Sequence, residues 1–95
     1  MESTGRVAFR EMVDARITEW QKNITTLEQK LSKKDDADAR EKVALMKERI
    51  PALAEKSRTA MEVSERAWPD FKSETDLIFE NLDWLQGYVQ RRMGG

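Results

Sequence analysis

Residues 13–31 read VDARITEWQKNITTLEQKL, and the apolar positions Val13, Ile17, Trp20, Ile24, Leu27 and Leu31 recur at alternating spacings of four and three. That is the heptad seam of a helix packing along one long partner. The flanking positions are mostly Arg, Glu, Gln, Lys, Asn and Thr, so the stripe is narrow. Extended in both directions, the pattern predicts a helix over 5–33, about 43 Å long at 1.5 Å per residue. Phe9 and Met12 fall beside the seam and blur its start.

Beyond the seam, Lys33-Lys34-Asp35-Asp36 places cations at the end of one helix and anions at the start of the next, as the helix dipoles prefer. Asp35 or Asp36 then serves as N-cap of a second helix. Asp35, Asp36 and Asp38 lack the Gly and closing Glu of a calcium loop, so capping is the better account of them. The second helix is expected over 36–67, with a seam of Val43, Met46, Ile50, Leu53, Ser57, Ala60, Ser64 and Ala67. Pro51 removes an amide donor and crowds the carbonyl of Lys47, which predicts a kink there. Pro69 suits the first turn of a third helix over 69–92, where its missing donor costs nothing. The seam of that helix reads Phe71, Thr75, Ile78, Leu82, Leu85 and Val89. Leu77, Trp84 and Tyr88 widen its apolar arc, so it should touch more than one neighbour.

Together these elements predict an all-α chain, a single domain over 1–95, built as an antiparallel helical hairpin plus a third helix. It is a three-helix bundle with coiled-coil patterning. A reversal about residues 34 and 35 sets Leu27 against Val43, Ile24 against Met46, and Val13 against Ser57. A second reversal near Pro69 sets Ile78 against Ala60 and Leu85 against Leu53. In that register the third helix runs out near Met46 and leaves the tip over 24–46 as two helices. Ile24, Leu27, Leu31 and Val43 would be half covered there, and a second copy would complete them, since isologous pairing is the commonest closure. The expected state is a homodimer. A rival arrangement, one helix continuing through Pro69, would make a long hairpin whose tail pairs with another chain.

Composition agrees with this class, because Ala, Glu, Lys, Leu and Arg supply 44 of the 95 residues. The net charge of −1 comes from 17 basic and 18 acidic residues spread along the chain, so no basic stripe for nucleic acid stands out. The absence of cysteine fits a reducing compartment, and the cytoplasm is the expected location. No apolar run approaches the ~20 residues that span a bilayer, and residues 1–5 do not have the layout of a signal peptide. Membrane association is not expected.

There is no histidine and no glycine-rich phosphate loop, so Ser/His and Cys/His hydrolysis and nucleotide cradles are off the table. No cofactor and no metal is expected. Asp76, Glu80 and Asp83 share a helix face, where carboxylates serve solubility before metal binding. The expected interaction surface comprises Leu77, Trp84 and Tyr88 on the third helix with Ile24, Leu27, Leu31 and Val43 at the tip, open to a protein partner. Tryptophan is favoured at such surfaces for its large amphipathic ring.

The pairing of Glu19-Trp20-x3-Ile24-x2-Leu27 with a late Ala67-Trp68-x-Asp70-Phe71-Lys72 resembles a widespread group of small bacterial coiled-coil proteins carrying an early Glu-Trp and a late Ala-Trp. Some of them carry a general stress-response label. The resemblance spans about residues 13–85 and implies a bacterial, cytoplasmic helical protein with no catalytic residues to carry over. Pro51 and Pro69 depart from the straight hairpin of that pattern. Non-enzymatic self-association is the expected function. The alternative is a holdase-like or membrane-surface stress protein using the arc of the third helix.

Overall fold

Three helices follow one another in the computed structural model, which describes residues 3–93: α1 (Ser3–Leu31), α2 (Ala37–Thr59) and α3 (Trp68–Arg92). They run up, down and up again in a rod of 51 × 19 × 18 Å. The first reversal forms where the charges predict it. Asp36 is extended (φ −131°, ψ 99°) and its carboxylate accepts the amide of Ala39 at 3.1 Å, which caps α2. The hydroxyl of Ser57 donates to Asp14 at 2.6 Å, one residue along from the expected Val13 contact. Lys47 reaches Glu28 at 2.9 Å nearer the tip.

The seam of α1 is the core of the molecule. Val13, Trp20, Ile24, Leu27 and Leu31 are buried, and they close on Ala39, Val43, Met46 and Leu53 of α2 and on Phe79, Leu82, Leu85 and Val89 of α3. Each fully buried Leu or Val contributes roughly 1.5–3 kcal/mol. Thr75, also buried in the α3 seam, satisfies its hydroxyl by donating to the carbonyl of Phe71 at 3.0 Å. Among the described residues no buried side-chain nitrogen or oxygen is left without a partner.

One expectation about α2 needs correction. The helix runs through Pro51, the expected kink position, from Ala37 to Thr59, and the proline lies exposed. The helix nevertheless stops eight residues short of the expected 67. Residues 60–67 form successive turns, closed by the amides of Ala60 and Glu62 on the carbonyls of Ser57 and Thr59. The Ser64 hydroxyl accepts the amide of Ala67, and Ser64 and Ala67 lie exposed instead of on a seam. Small side chains here offered too little apolar area to hold another two turns of helix. With Pro69 in its first turn, α3 is a separate element, which excludes one helix running through that proline.

The early end of α2 resets the register of α3. Glu74 pairs with Lys56 at 2.6 Å, where the expected register would have set it against Ser64. Asn81 accepts from Arg49 at 2.7 Å, and the Tyr88 ring lies 5.1 Å from the ammonium of Lys42. Eight residues of helix are about 12 Å, so α3 reaches that much further toward the tip. Its last residues arrive beside the first reversal: Arg92 binds Asp36, and Lys34 donates to the carbonyl of Arg92 at 3.2 Å. Ile24, Leu27, Leu31 and Val43 are therefore buried within one chain, and the half-covered tip does not exist. At the far end Arg6, only 8% exposed, donates to the carbonyl of Ala60 at 2.8 Å and lies 4.4 Å from the centre of the Trp68 ring. Trp68 in turn stacks on Phe71 and meets Phe9 edge-on.

Candidate functional site

With the tip closed, the two most exposed large apolar side chains lie on α3, while Val7 and Met12 on α1 and Met61 in the second reversal are less exposed. The core side of that helix is set by Phe71, Thr75, Phe79, Leu82, Leu85 and Val89. At 100° per residue, Leu77 and Trp84 point away from this side, one heptad apart along the middle of the outer face. Leu77 is 63% exposed and Trp84 is 56% exposed. Both were expected at the edge of a wide apolar arc, as part of the interaction surface. They form an apolar stripe facing away from the bundle, with Asp70 and Ser73 before it and Arg91 after it. Glu80 sits between Leu77 and Trp84 on the same face, while Asp76 and Asp83 border it on the side toward α1. Among the described residues these three carboxylates have no ion-pair partner, and no group of three His, Cys, Asp or Glu side chains is placed to hold a metal ion.

Tyr88 is held differently from its expected companions. Its ring lies 5.5 Å from that of Trp84, yet its hydroxyl turns inward and donates to the carboxylate of Asp38. Lys42 donates to the same carboxylate at 3.2 Å, and Arg92 adds two hydrogen bonds to Asp36, at 3.1 Å from both its Nε and Nη2. The result is a clamp between the start of α2 and the end of α3. The Tyr88 hydroxyl, followed by Lys42, holds the Asp38 carboxyl below its ordinary range, and Arg92 does the same for Asp36. Reciprocally, the Asp38 carboxylate pushes the Tyr88 phenol upward, and Asp36 raises Arg92. Tyr88 thus anchors the back of the Trp84 ring and belongs only in part to the open stripe.

A furrow separates α1 from α3 near the tip, enclosing about 710 Å³ between Leu27, Lys30, Lys33 and Lys34 on one side and Gly87, Gln90, Arg91 and Met93 on the other. Its charged lining is cationic throughout. The sequence conceals this, because the three lysines and the arginine come from segments 57 residues or more apart that the parallel α1 and α3 bring together. The buried Arg6 and the Tyr88–Asp38 bond were likewise invisible, since neither follows an apolar period. No helix of the described residues is long and apolar enough to cross a membrane. No protein-family profile, no curated protein and no solved structure matches the chain.

Proposed function

We propose that this is a non-enzymatic helical protein that self-associates through the outer face of α3. The observation that carries the reading is the pair of large apolar side chains, Leu77 and Trp84, spaced by one heptad and turned into solvent on a helix whose other side is fully committed to the core. A second copy fits that face in antiparallel register. Centred between Glu80 and Asn81, the pairing sets Leu77 against Trp84 of the second copy, twice by symmetry. It also sets Asp70 near one end of the stripe against Arg91 near the other, so the terminal charges are complementary. The two Glu80 side chains approach near the axis, where Arg49, bonded to Asn81, supplies a cation on each side. Self-association thus rests on a different surface from the tip expected from sequence.

The chain has no cysteine, which makes disulfide trapping a clean test of that register. Mixed Leu77→Cys and Trp84→Cys variants are expected to form a cross-linked heterodimer on mild oxidation. Either variant alone should not, since like positions are offset by seven residues, about 10 Å, beyond disulfide reach. Equal cross-linking of each single variant, or none in the mixture, would remove this register. A membrane-surface or holdase-like role would use the same stripe, but Asp76, Glu80 and Asp83 beside it oppose an anionic lipid surface.

A further inference from the structure

The furrow between α1 and α3 is independent of the outer stripe, and we infer that it is a docking groove for an extended acidic segment of a partner protein. Lys30, Lys33, Lys34 and Arg91 line it, and among the described residues no carboxylate does. Among the described residues, neither Lys30, Lys33 nor Arg91 is engaged in an ion pair, and Lys34 donates only to the backbone carbonyl of Arg92. In a molecule of net charge −1, a site of one sign on this scale is a local property created by the fold.

Two features decide between occupants. The α3 wall of the groove runs from Gly87 to Met93, about 9 Å, which matches three residues of extended chain at roughly 3.3 Å each. Leu27 and Met93 give it an apolar floor, which suits a side chain between two carboxylates. A peptide brings carboxylates for the cations and an apolar side chain for that floor. A phosphodiester strand brings its charges on a uniformly polar backbone.

Anisotropy of a fluorescein-labelled decapeptide of six glutamates and four leucines, titrated with the full chain at low salt, tests the assignment. Binding that weakens as salt rises is expected. Lys30→Gln with Lys33→Gln should weaken it roughly fivefold, and Lys30→Glu with Lys33→Glu tenfold or more. Circular dichroism and solution mass should be unchanged, because these exposed positions at and just past the end of α1 lie off the core and off the outer α3 face. Absence of binding up to millimolar protein, or binding indifferent to both double variants, would overturn the proposal. Tighter binding of a labelled ten-nucleotide single strand than of the peptide would overturn it too, in favour of nucleic acid.

Discussion

At the scale of single residues, polar contacts fix the two ends of the rod while the apolar seams fill its middle. Arg6 ties the first turns of α1 to the carbonyl that follows the end of α2, and its guanidinium covers the Trp68 ring. At the other end Asp36 does two jobs, capping α2 through the Ala39 amide and receiving Arg92 from α3. The depressed carboxyl groups of Asp36 and Asp38 make this clamp sensitive to acid. Their contribution to stability is fully present above the unfolded carboxylate range, near pH 4, and is lost as pH falls through their lower folded values. Tyr88, shifted upward, contributes below the ordinary phenol range near pH 10 and loses that contribution as pH rises through its folded value. Asp38→Asn should therefore melt at a lower temperature than the parent chain between about pH 5 and 9, with the gap narrowing as pH falls below the ordinary carboxylate range near 4. A gap of constant size across thermal melts at pH 2.5, 5 and 8 would dissociate Asp38 from the clamp.

At the scale of elements, the seams were legible because burial follows period. Val13, Trp20, Ile24, Leu27 and Leu31 on α1 and Phe71, Thr75, Leu82, Leu85 and Val89 on α3 are buried as their spacing predicts. The end of α2 was not legible, since Ser57, Ala60, Ser64 and Ala67 continue the period while losing the side-chain area that would enforce it. A periodic pattern of small residues is compatible with a helix but does not compel one. Pro51 sits where a kink was expected, inside a helix that continues on both sides, with Met46 and Leu53 buried on either side of it. Its cost persists even though the helix does. Pro51→Ala restores the donor to the Lys47 carbonyl and is expected to stabilise the chain by about 1–3 kcal/mol, after the gain in unfolded-state freedom is subtracted. Denaturant titration would register this as a higher midpoint, and an unchanged or lower midpoint would mean that the proline's rigidity outweighs the missing bond.

At the scale of the whole molecule, the fold class was readable and the third dimension of it was not. The hairpin of α1 and α2 follows from the charge reversal at Lys33-Lys34-Asp35-Asp36. The position of α3 depends on where the second reversal begins, and eight residues there move its end from the middle of the rod to the tip. That displacement buries Ile24, Leu27, Leu31 and Val43 within one chain and leaves Leu77 and Trp84 as the most exposed large apolar side chains, ahead of Val7, Met12 and Met61. It also gathers Lys30, Lys33, Lys34 and Arg91 around one furrow. A dimer built on the α3 stripe therefore rests on residues entirely separate from those that close the core. Sedimentation equilibrium at tens of micromolar is the most direct measurement: about twice the 11.1 kDa chain mass is expected, reduced to a single chain by Leu77→Glu with Trp84→Glu while helicity is kept. A parent chain that stays at 11.1 kDa throughout that range, or a double variant that remains dimeric, would contradict it.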